Sequence, residues 1–166
     1  MADTMTAAAP DKAAIRSDLE TMRFAYKELV GQIGDANWKT KSAIPSWTCG
    51  QLVWHVASSV PFLAGNIEGA VNGKSRNPPA FVMPLLFKLS ELRVRIASRK
   101  ATPASVLSDM DAGMKRMLGV LDATDATKLT AVATSFGDTR MIGEMFRRPI
   151  EHFDEHAAHI RPAIGR

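Results

Sequence analysis

Residues 48–67 read TCGQLVWHVASSVPFLAGNI. Thr48-Cys49-Gly50-Gln51 fits a capping box, in which the threonine oxygen accepts from the third helical amide and the glutamine reaches back to the cap. Leu52, Val56, Leu63 and Ile67 follow as one stripe at helical spacing, and Asn72-Gly73 supplies a stop. Pro61 falls inside this helix. It lacks an amide and crowds the carbonyl of Ala57, which predicts a bend or local unwinding. A helix this long, apolar along one stripe, must bury that stripe against other elements.

Elements of the same kind lie on both sides. Ile15, Leu19, Met22, Tyr26, Leu29 and Ile33 recur every three or four residues, so a first helix is expected over 11–33, ended by Gly34. Asn77-Pro78-Pro79 marks a loop before a third helix at 81–99, with Pro84 best tolerated in its first turn. Thr102-Pro103 opens a fourth helix on Leu107, Met110, Met114, Met117, Leu118 and Leu121. Residues 123–137 turn to Thr, Ala, Ser and Asp; 129–132 could be extended but are too few for a sheet. Asp138 or Thr139 then caps a last helix that runs to Ile160, with Pro149 interrupting it. Five helical segments and no counted strand predict an all-α fold: an antiparallel four-helix bundle with an accessory helix or long crossover. One domain is expected over 11–166, behind a disordered tail at 1–10.

The composition agrees. In 166 residues, 46% are hydrophobic and 23% charged, the balance of a soluble domain large enough for a core. The longest mainly apolar run, 80–87, is far short of the roughly 20 residues that span a bilayer. The start, MADTMTAAAP, has no basic cluster and does not read as a secretory signal, so a cytoplasmic location is expected. A single cysteine, Cys49, excludes an intrachain disulfide and cysteine-rich zinc modules, leaving histidine and carboxylate as ligand types. Cys49 itself is read as a small packed residue. The net charge of +4 gathers partly in Lys88, Arg93, Arg95, Arg99 and Lys100, and at Arg147 and Arg148. No aromatic residue interleaves 93–100, so this is read as a solvated helix face and no nucleic-acid partner is expected.

Histidine carries the chemistry. His55 stands alone in the second helix, whereas His152, His156 and His159 crowd the last one. Positions i, i+4 and i+7 of an α-helix lie within about 60° of one another, so the three imidazoles share a stripe. Neutral imidazole is a common metal ligand. A catalytic ion of the zinc type takes three protein ligands and keeps a position open. His55 with His152 and His156 would make such a set, each otherwise a hydrogen-bonded core or surface histidine. His159 would be a fourth ligand, a proton relay or a surface residue. Glu151, Asp154 and Glu155 are read as an outward face, one of them able to orient a ligand histidine. Ser58 or Ser59 could do so for His55. The nine methionines fill helical stripes and read as core.

Three segments resemble the DinB-like (YfiT-like) superfamily of bacterial four-helix-bundle proteins. SWTCGQLVWHVA (46–57) is similar to its entry into the second helix, FGDTRMIGEM (136–145) to the lead into the final helix, and HFDEHAAHI (152–160) to its close. In that superfamily the counterparts of His55, His152 and His156 bind a divalent metal, often nickel or zinc. His159 stands where a glutamine is usual, and Pro149 departs from the pattern. The resemblance implies thiol S-transfer with bacillithiol or mycothiol in detoxification or stress response, with the metal activating the thiol. Water activation by a hydrolase, or a metal-stabilised binding module without turnover, remain the alternatives. A small-molecule substrate, a low-molecular-weight thiol and a possible homodimer are the expected partners; no membrane is.

Overall fold

The computed structural model describes residues 11–165, so the tail expected at 1–10 lies outside the described residues. Helix α1, Lys12–Asn37, starts on Asp11, whose carboxylate accepts from the Ala13 amide at 3.2 Å. Its sequence-predicted stripe is buried, and Gly34 leaves helical geometry at φ 53, ψ −175 before one further turn. Only glycine takes such a backbone readily. Helix α2, Cys49–Val71, begins with both halves of the Thr48/Gln51 capping box formed. It remains helical across Pro61, so the unwinding expected there does not occur.

Helix α3, Met83–Ala97, follows a 3-10 turn at Ala80–Val82 and carries Pro84 in its first turn. It is the accessory helix. Val94 is its one buried residue, while Phe81 at its entry is 84% exposed. Helix α4, Pro103–Ala123, is capped reciprocally by Thr102 and Ser105, and buries Met110, Met114 and Met117 as core. A Cβ at Gly113 would sit 3.0 Å from Pro61 Cδ and 3.1 Å from Val60 Cβ, so α2 and α4 touch almost backbone to backbone.

Two expectations fail after residue 131. The residues read as irregular and as a helix cap form an antiparallel hairpin, β1 Val132–Ser135 and β2 Asp138–Met141, with Val132 opposite Met141 and Ser135 opposite Asp138. Phe136 and Gly137, at φ 52 and 78, make the two-residue turn that suits strand twist. Thr134 and Thr139 pair across the strands through their hydroxyls at 2.8 Å. Asp138 and Thr139 are therefore strand residues, not caps. Pro149 likewise does not interrupt the last helix. After a short helix α5, Ile142–Met145, the chain restarts as α6, Arg148–Ile160, with Pro149 in the first turn, where no amide is needed.

The bundle consists of α1, α2, α4 and α6. Helix α2 packs on α4 and α6, and α1 closes the other side against the same two. Tyr26 and Phe146 are its largest fully buried side chains, and the Tyr26 hydroxyl donates to the Val53 carbonyl across the core at 2.9 Å. Among the described residues, no helix is long and apolar enough to cross a membrane.

Candidate metal centre

Helix α6 turns Phe153, Ala157 and Ile160 into the core, and the Phe153 ring meets Tyr26 edge-on at 6.2 Å. That fixes the helix's rotation. With a 100° step per residue, His152 and His156 then face the flank that packs on α2. From α2, His55 comes to meet them. Ring centroids are 4.8 Å apart for His55 and His152, 5.1 Å for His55 and His156, and 4.5 Å for His152 and His156. One nitrogen from each ring lies within 4.8 Å of the other two, the spacing of donors that can share one cation.

The start of α6 is held by charge. Arg140 of β2 donates to both Glu151 oxygens, at 3.1 and 3.3 Å, and pairs with Asp138 at 2.8 Å; Arg148 also reaches Glu151 at 3.1 Å. Glu151 therefore serves arginines, not a histidine, and Asp154 and Glu155 stay exposed. Ser58 and Ser59 donate to the backbone carbonyls of His55 and Val56, so the expected serine partner for the His55 ring is absent. Cys49 is fully buried, and burial raises its thiol pKa, as befits a packing residue.

Burial lowers the pKa of all three imidazoles. His55 falls to about 3, helped by the positive field of His152, His156 and Arg93. His152 falls to about 4, with Arg148 adding to desolvation, and His156 to about 4, with His152 contributing. All three are neutral at pH 7, with lone pairs free. His152 Nε2 and His156 Nδ1 are buried without a hydrogen-bond partner. Leaving such atoms unpaired costs about 1–3 kcal/mol each, and a bound cation would satisfy both. The donor set therefore fits a divalent ion. His159 stands outside the trio, its ring 5.9 Å from His156 and its Nδ1 also buried and unpaired.

Two side chains at this site are not apparent from spacing. Trp47 packs its ring 5.1 Å from His55 and 6.2 Å from His156. It precedes the cap of α2, so no helical period could have placed it. Arg93, read as part of a solvated face, is exposed but rests over the Trp54 ring at 5.7 Å, where its charge reaches His55.

A four-helix bundle of this kind belongs to the DinB-like (YfiT-like) superfamily. Within it, residues 19–159 match the mycothiol maleylpyruvate isomerase N-terminal domain, and the chain belongs to that family. No curated protein matches the sequence. Two solved structures share the fold at a TM-score of 0.71: the mycothiol-dependent maleylpyruvate isomerase, 14% identical, and a histidine-to-alanine variant of that enzyme, 15% identical. In each case 90% of this chain is covered, and it spans 60% of the other chain's length.

Proposed function

We propose that the chain holds a divalent cation, zinc or nickel, on His55, His152 and His156, and uses it to activate a low-molecular-weight thiol of the mycothiol type for transfer to an electrophile. The observation that carries this reading is the meeting of three neutral, half-buried or buried imidazoles from two helices, with two of their nitrogens unpaired. A cation bound there supplies Lewis acidity that makes a thiolate available at neutral pH. The protein's own share is to keep the imidazoles unprotonated, to fix them through the packing of α6, and to exclude water with the Trp47 ring. The thiol's proton leaves, and its sulfur forms a bond to an electrophilic carbon while that carbon's bond to its leaving group breaks, chloride in the test substrate below. His159 is the candidate acceptor for that proton, one helical turn from His156.

The likeness to a mycothiol-dependent isomerase supports use of a thiol but does not extend to that enzyme's substrate, since only part of its length is shared. The test is conjugation of a thiol to 1-chloro-2,4-dinitrobenzene by metal-free and zinc- or nickel-loaded protein. The loaded form should accelerate thiol consumption. Equal rates for both forms would reject thiol activation and leave the histidines a structural site.

A further inference from the structure

The three imidazoles offer lone pairs, and a cation answers them. The indole of Trp47 makes the opposite demand. Trp47 is 8% exposed; its ring packs against those of His55 and His156, and its Nε1 is buried with no hydrogen-bond partner. An indole N–H is a donor only and gains nothing from a cation. It needs a lone pair of its own.

The surrounding backbone does not provide one. Trp47 sits in a knotted loop: its amide donates to the Ile44 carbonyl at 3.0 Å, and its carbonyl accepts from the Ser42 amide and hydroxyl at 3.1 and 3.0 Å. The Ser42 hydroxyl also reaches the Ile44 carbonyl at 3.1 Å. The Ala43 amide donates to the His159 carbonyl at 2.9 Å, tying this loop to α6. The loop is thus tied to itself and to α6, and the carbonyls of Ile44, Trp47 and His159 already accept from other donors. By contrast, the Trp38 indole in the same region donates to the Ala101 carbonyl at 3.1 Å.

Among the described residues, the buried side-chain atoms without partners are Trp47 Nε1, His152 Nε2, His156 Nδ1, His159 Nδ1 and Ser135 Oγ. All but the last belong to one cluster. Lone pairs seeking a cation beside a donor seeking an anion describe a site for both together. Resting on the thiol reading above, we propose that the Trp47 indole N–H donates a hydrogen bond to the sulfur of the thiolate bound at the three-histidine site, making Trp47 a binding residue for the thiol. The N–H would also draw charge from the sulfur and help keep it deprotonated.

The experiment uses the full chain. Zinc-loaded, 15N-labelled protein is titrated with N-acetylcysteine, and the three indole N–H signals are followed by NMR, that of Trp47 being assigned by its loss in Trp47→Phe. The Trp47 signal should move downfield and exchange more slowly with water, while that of Trp38 stays. In parallel, cobalt-loaded wild type should develop a sulfur-to-cobalt charge-transfer band on thiol addition. Trp47→Phe, which keeps an aromatic ring, should retain full metal and bind the thiol about tenfold more weakly, the loss of one hydrogen bond. A band in wild type with an unmoved Trp47 signal, or equal thiol affinity in Trp47→Phe, overturns the proposal and leaves thiol binding standing. No band in wild type overturns the thiol reading and this inference with it. If Trp47→Phe loses metal or fold, the wild-type titration decides.

Discussion

Acidifying the metal-free protein tests the neutral burial of the histidine trio most directly. In an unfolded chain these imidazoles titrate near 6.5; in the folded protein burial holds them at about 3 for His55 and about 4 for His152 and His156. Between these values the unfolded state carries protons that the folded state refuses, so acid draws the equilibrium toward unfolding. Stability is intact above pH 6.5 and is lost as the pH falls from 6.5 toward 4. At pH 5 an unfolded imidazole is nearly fully protonated and one with a pKa of about 4 roughly a tenth so, a difference of at most about 2 kcal/mol per histidine. Partial exposure of His55 and His152 reduces their share. Even half that sum is a large fraction of the ~5–15 kcal/mol that holds a domain folded. Urea unfolding followed by circular dichroism at pH 7, 6 and 5 should show the midpoint falling steeply, and saturating zinc should restore it at pH 6 by mass action. A midpoint unchanged between pH 7 and 5, or folded-state titration of the three rings near 6.5 by NMR, would refute the reasoning.

Further outcomes follow from the same geometry. His156→Ala should abolish stoichiometric zinc binding at neutral pH, read by elemental analysis after desalting; full metal content would remove His156 from the ligand set. His159→Gln should keep its metal but slow thiol conjugation, as expected of a proton acceptor outside the trio, whereas loss of metal would make His159 a ligand. Gly113→Val should destabilise the fold by about 1–3 kcal/mol, because the new side chain meets Pro61 and Val60 on α2. A melting temperature equal to wild type would mean that α2 and α4 can separate freely.

What the sequence disclosed was what is local. Thr48/Gln51 cap a helix through bonds spanning three residues, Thr102 with Pro103 opens another, and Gly34 breaks one by its own backbone, so each was legible; the reciprocal bond from Ser105 was not read. The hairpin was not. Its turn is Phe136-Gly137, which lacks the asparagine or aspartate that usually announces such a turn, and Asp138 and Thr139 are residue types that cap helices equally well. Pro149 was ambiguous for a related reason. A proline reads as a break or as a beginning depending on where the preceding turn ends, and only the hairpin settles that. At the site, the spacing of His152 and His156 placed them on one face. The arrival of His55 depends on how α2 packs on α6, which no local pattern encodes; the three-ligand demand of a zinc-type ion suggested it and the family resemblance strengthened it. Trp47 was visible as part of the 46–57 segment, but its place beside the histidines was not, because that is set by a loop tied through Ser42, Ile44 and His159.

Arg140 grips Glu151 from an outlying ribbon, one residue before the first imidazole of α6. Lengthening or twisting that ribbon would tilt the helix and shift both of its imidazoles, with the bundle interior left as it was. Drift in a peripheral loop can therefore retune the spacing of the imidazoles without the penalties that accompany substitutions in the hydrophobic centre.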